Sequence, residues 1–150
     1  MSISLALIPA ALLLKVILFD KDYEQLVKEN KKTWKDIRLP TNYTDKELLV
    51  KTLREFHASH IRLEDENISC KIADHQLKFL KGEENYIVSL SKVKEPQKLI
   101  EELRCLDGLY KQNLQEQVYI KTKARLEEQG MRIETEEILE DNSIVLTVCL

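Results

Sequence analysis

His57 and His60 stand three residues apart, with Cys70 and His75 close behind, and these are the side chains of the sequence best placed for chemistry. Imidazole nitrogens and a thiolate are ordinary zinc ligands, and ligands at i and i+3 share one helix face, so a metal site from these residues is the first reading to weigh. Zinc signatures usually repeat as tight pairs. These residues instead straddle a helix end, a strand and a turn, with no second pair. Cys70 also falls on the apolar phase of its strand, where a thiol is buried and inert.

Carboxylates gather at Glu134, Glu136, Glu137, Glu140 and Asp141, and two or three of them converging on a cation would suit metal-assisted hydrolysis. Strand alternation puts Glu134 and Glu136 on one face and Glu137 on the other, which is the pattern of a solvated acidic hairpin. The sequence has no glycine-rich phosphate loop, nucleophile elbow or dinucleotide fingerprint. No catalytic residue and no cofactor is therefore expected. Lys92, Lys94, Lys98, Arg104, Lys111, Lys121, Lys123 and Arg125 give one long segment a basic cast, but Glu95, Glu101, Glu102, Glu116, Glu127 and Glu128 cancel it. With a formal net charge of -3, no overall field draws the chain to nucleic acid, and none is expected as a partner.

The element that must position everything else is the apolar run from Ile3 to Phe19, interrupted by Ser4 and Lys15. As a helix it would be apolar all round and about 25 Å long at ~1.5 Å per residue, a little under a ~30 Å hydrocarbon core. That length predicts a single membrane anchor over residues 3–19, with Lys15 snorkelling. Lys21, Lys28, Lys31, Lys32 and Lys35 all follow it, which places the C-terminal body in the cytoplasm. The competing expectation is a soluble cytoplasmic domain with this stretch as a core strand, a core helix or an oligomer interface. Cys70, Cys105 and Cys149 are odd in number and far apart, which fits free thiols in a reducing compartment.

Residues 20–40 read as an amphipathic connecting helix, because Tyr23, Leu26, Val27, Trp34 and Ile37 recur on one side. Pro40 ends it. Thr44 to Glu47 has the form of a capping box ahead of a helix carrying Leu49, Leu53 and Phe56. The period then changes to two. Ile61 and Leu63, Ile68 to Ile72, Leu77 and Phe79, and Tyr86 to Leu90 alternate with polar residues, predicting an antiparallel meander with one wet face. Pro96 opens a second helix of more than thirty residues, with Asp107-Gly108 as the place for a kink and Gly130 as the C-cap. A hairpin over Met131 to Ile138 and Ile144 to Val148 closes the chain.

Within this last part, Val118-Tyr119-Ile120-Lys121, Ala124, Gln129-Gly130-Met131, Glu136-Glu137-Ile138 and the run Glu140 to Val148 form a pattern of helix, glycine cap and acidic hairpin. The pattern resembles the C-terminus of the family of hypothetical chloroplast reading frame thirty-five and its cyanobacterial relatives. The resemblance covers residues 113–148, and by element order 44–148. Ile120 stands where that family's pattern has a helix histidine, and Asn142 where it has a turn glycine. The resemblance implies a compact α+β fold and no transferable activity.

The expectation for the whole chain is an α+β protein. An antiparallel sheet of about six strands carries a long helix on one face, and an N-terminal hydrophobic helix precedes it. Residues 1–19 would be the hydrophobic segment, 20–40 the connecting helix and 41–150 the α+β domain. Its expected role is a non-enzymatic, membrane-tethered, cytoplasmic protein-interaction module. Its contact residues would be Trp34 and Tyr23 on the connecting helix, or the wet face of the sheet. A metal-binding or enzymatic domain built on His57, His60, Cys70 and His75 is the alternative from another class.

Overall fold

In the computed structural model of the protein, residues 3–10 and 34–149 are described. The fold is α+β, and the eight strands among the described residues form two antiparallel sheets instead of one sheet of six. The described chain divides into two compact units, one holding the first strand and everything from Lys111, the other ending at Tyr110.

The larger unit begins with β2 (Trp34–Pro40), followed by α1 (Lys46–Glu55) and a meander of β3 (Ser59–Glu64), β4 (Asn67–Ile72), β5 (His75–Lys81) and β6 (Tyr86–Val93). The strand order is β2-β6-β5-β4-β3. Ile68, Cys70 and Ile72 on β4, Leu77 and Phe79 on β5, and Tyr86, Val88 and Leu90 on β6 are all buried, as the period-two alternation predicts. The residues between them face outward, so the sheet has one dry and one wet face. Tyr43 anchors the dry side. Its ring centroid lies 6.3 Å from that of Phe79 and 4.3 Å from that of Tyr110, tying the loop before α1 to the sheet and to the long helix.

The long helix α2 (Pro96–Glu128) starts with proline at its first position, where the missing N–H costs nothing. It runs without a break through Asp107 and Gly108, where a kink is expected from the sequence. Asp107 is buried instead, and its carboxylate accepts from the Tyr43 hydroxyl at 3.4 Å, so the residue that looked like a breaker belongs to the packed face. Gly130 ends the helix with a φ of 74°. Its N–H reaches the Glu127 carbonyl and the Met131 N–H the Leu126 carbonyl, the two bonds of a Schellman cap.

In the smaller unit, β1 (Ile3–Ile8), β7 (Arg132–Ile138) and β8 (Ile144–Cys149) form a sheet of order β1-β8-β7. Ile8, Leu146 and Val148 are its buried cluster, and Val118, Tyr119, Leu126 and Met131 pack against them. The tip of the hairpin is held from several sides. Ser143 accepts from the Ala10 N–H at 3.0 Å, and the Gln115 amide donates to the carbonyls of Pro9 at 2.6 Å and Asn142 at 3.1 Å.

Three expectations change here. Residues 3–8 are not the start of an apolar helix but a strand paired along its whole length with β8, from Ile3 opposite Cys149 to Ile8 opposite Ile144. Pro9, which has no N–H for the ladder, follows the last paired residue. Residues 11–19 of the expected anchor lie outside the described residues, and no helix among the described residues is long and apolar enough to cross a membrane. Residues 34–40 of the expected connecting helix are strand β2, paired with β6; the rest of that helix, with Tyr23, lies outside the described residues. The cap of α1 is Asp45, whose carboxylate accepts from the Leu48 N–H at 3.1 Å, one residue after the expected Thr44.

Candidate functional site

The wet face of the five-stranded sheet is where the structure collects polar side chains that sequence distance keeps apart. Direct cross-strand partners share a sheet face. Arg38 on β2 lies opposite Ser89 on β6, Ser89 opposite Lys78 on β5, Lys78 opposite Ser69 on β4, and Ser69 opposite Arg62 on β3. The result is one row, Arg-Ser-Lys-Ser-Arg, across every strand of the sheet. At ~4.8 Å between strands, the row is about 19 Å long and its cations are about 10 Å apart. Lys71, opposite Gln76, belongs to the next row on the same face.

Four members of this row, Arg62, Ser69, Lys78 and Ser89, line a depression of about 430 Å³ in the sheet surface, together with Lys71, Gln76, His60, Ser91 and, at its floor, Cys70 and Leu77. Among the described residues no carboxylate and no Phe, Tyr or Trp lines it, and its one aromatic ring is the His60 imidazole. Glu64 at the rim lies 4.0 Å from the Lys78 ammonium, and both side chains are about half exposed, so the pair holds Lys78 weakly. A chain of formal net charge -3 thus carries a local positive field on one open face.

The candidate metal ligands of the alternative reading fall at separate places in the fold. His57 follows α1 with a φ of 64°, donating its backbone N–H to Arg54 while Ala58 reaches Leu53, the same cap geometry that Gly130 gives α2. His60 sits at the bulge of β3 with a φ of 53° and its Nδ1 3.2 Å from the Ser59 hydroxyl. Cys70 is buried, and His75 has an Nδ1 shut away from solvent without a hydrogen-bond partner. Among the described residues, no three His, Cys, Asp or Glu side chains are grouped so as to hold a metal ion. The hairpin acids Glu134, Glu136, Glu137, Glu140 and Asp141 are all exposed. Trp34, expected as a helix contact residue, opens strand β2 instead.

No family model, curated protein or solved structure matches this chain. The residues that carry the resemblance to the chloroplast reading-frame family fall on the second half of α2, its glycine cap and the β7–β8 hairpin. The basic row lies in the other unit.

Three results are expected from this arrangement. His57 pays the left-handed penalty that glycine avoids, so His57→Gly should raise stability by about 1 kcal/mol in urea unfolding. A metal ligand at this position would lose function in the same variant. Burial pushes the Cys70 thiol up to about 12, and burial also raises Tyr86 and Tyr110. These groups are protonated when folded and ionise more readily when unfolded. Their contribution is therefore complete below the unfolded thiol value of about 8.5 and is lost as pH rises toward the folded one. The urea midpoint should fall steadily above about pH 9. At pH 8 iodoacetamide should label exposed Cys105 in the native protein and Cys70 only after denaturation.

Proposed function

We propose that the protein is a non-enzymatic interaction module that takes an acidic protein partner on the open face of its five-stranded sheet. The observation that carries this reading is the unbroken row Arg38–Ser89–Lys78–Ser69–Arg62, with a hollow that no carboxylate among the described residues lines. Cations held by a rigid sheet steer and orient an oppositely charged partner, and the serines between them add donors without adding charge. The acid nearest the hollow's lining cations, Glu64, meets Lys78 only at the half-exposed rim. The hollow's one thiol, Cys70, turns into the core with a raised pKa, which makes it a poor nucleophile at neutral pH.

Of the two expectations for the N-terminal stretch, membrane anchor or part of the fold, we favour the second. Its support is the six-residue pairing of β1 with β8. Residues 9–19 alone are too short for the ~20 residues that a spanning helix needs. Kinship with the chloroplast reading-frame family is proposed only for the α2–β7–β8 part and lends the sheet face no activity.

The test is amide NMR of the full chain titrated with poly-glutamate at low and high salt. Shifts confined to the outward positions of β2 to β6, shrinking with salt, are the expected result. Shifts confined to α2 or to the β7–β8 hairpin, or no binding at low salt, would overturn the reading.

A further inference from the structure

Resting on the sheet-face reading, we propose a specific form for the partner: an acidic segment in polyproline II conformation, with a carboxylate at every third residue, lying across the strands along the basic row. The spacing decides this. Arg38, Lys78 and Arg62 are two strands apart in turn, about 10 Å at each step. A polyproline II chain rises ~3.1 Å per residue with three residues per turn, so residues i, i+3 and i+6 fall on one edge about 9 Å apart. That edge presents three carboxylates to the three cations in register. A β-strand cannot do this, because positions i and i+3 point to opposite faces.

The rest of the face suits the same ligand. A polyproline II chain leaves its backbone carbonyls and N–H groups unpaired. Ser69, Ser89 and Gln76, set between and beside the cations, offer hydroxyl and amide groups to meet them. Recognition through strand addition is not needed, since the row crosses the sheet face and its three inner strands, β6, β5 and β4, each have a strand neighbour on both sides. Among the described residues no Phe, Tyr or Trp lines the hollow, and the single His60 imidazole is no platform for successive bases, which argues against single-stranded nucleic acid, whose bases are usually held by stacking.

The experiment is fluorescence anisotropy on the full chain with four labelled probes. These are a threefold Glu-Pro-Pro repeat, its isomer with the glutamates in one block, a threefold Lys-Pro-Pro repeat and an oligouridine. The Glu-Pro-Pro repeat should bind about tenfold tighter than its block isomer, with the lysine repeat and the RNA weaker still. Lys78→Glu and, separately, Arg62→Glu should each weaken it by about tenfold or more, both variants keeping the parent's unfolding midpoint because these side chains face solvent. Equal binding of the two glutamate isomers would overturn the spacing while leaving the acidic-partner reading intact. Tighter binding of oligouridine, lost in the same variants, would overturn both, and so would no peptide binding at all. Unchanged affinity in folded Lys78→Glu and Arg62→Glu would move the site off this face.

Discussion

Phe79→Ala should cost about 3–5 kcal/mol, whereas Lys78→Ala, one residue earlier, should stay within about 0.5 kcal/mol of the parent. Phe79 is fully buried, paired across the ladder with Ile68 on β4 and Val88 on β6, and stands beside the Tyr43 ring. Removing its ring leaves a cavity at the centre of the sheet, which the surrounding strands cannot close without moving their own hydrogen-bonded backbones. Native proteins hold only about 5–15 kcal/mol in total, so this one change takes a large share. Lys78 projects from the same strand to the other side, where it is about half exposed and meets the rim carboxylate of Glu64. Urea unfolding of both variants checks the pair. Similar losses in the two would mean that the register of β5 is wrong, and with it the basic row, because a one-residue slip moves every side chain to the opposite face.

The same alternation marks what could be read before the structure was known. From Ile68 to Leu90 apolar and polar residues take turns, each run is short, and the breaks are polar, so the strands and their dry face were legible from local sequence. Gly130 was legible for a similar reason, as a glycine placed directly after a long periodic segment. Strand β2 was not. In Trp34-Lys35-Asp36-Ile37-Arg38-Leu39 the apolar residues satisfy a helical spacing from Trp34 to Ile37 and a strand spacing from Ile37 to Leu39, and only its pairing with β6 settles the choice. The left-handed backbones of His57 and His60 left no signal either, because neither is a glycine.

The basic row was hidden for a different reason. Its members come from five strands between residues 38 and 89, and a running count of charge over any one segment averages them against nearby acids. The serines on the outward phase of β4 and β6 do show in the sequence, as Ser69 between Ile68 and Cys70 and Ser89 between Val88 and Leu90. They show that a wet face exists. What they cannot show is the register that sets Arg38, Lys78 and Arg62 in one line, since that depends on which strands are neighbours and on the bulge in β3.

The N-terminal stretch presents the hardest case, and it yields the second large effect. Ile8→Ala should destabilise the protein by about 2–5 kcal/mol, while Leu7→Ser should change stability by no more than about 0.5 kcal/mol. Ile8 is 1% exposed against Leu146 and Val148, whereas Leu7 is 63% exposed on the opposite face of β1. With so few fully buried side chains in that cluster, Ile8 has few neighbours to share its loss. The sequence hides the contrast because Leu5 and Leu7, both facing outward, are as apolar as Ile8, so the alternation that reveals a strand is missing. A lipid-embedded helix would give the reverse order. Both side chains would sit in hydrocarbon, and the polar Leu7→Ser would be at least as costly as Ile8→Ala. Hydrogen exchange at the β8 amides, measured with urea unfolding in the two variants, decides between these outcomes. Loss of protection in Ile8→Ala alone, at the alternate amides of Ile144–Cys149 that face β1, would follow from β1 covering one edge of β8, because those amides depend on the strand that Ile8 holds in place.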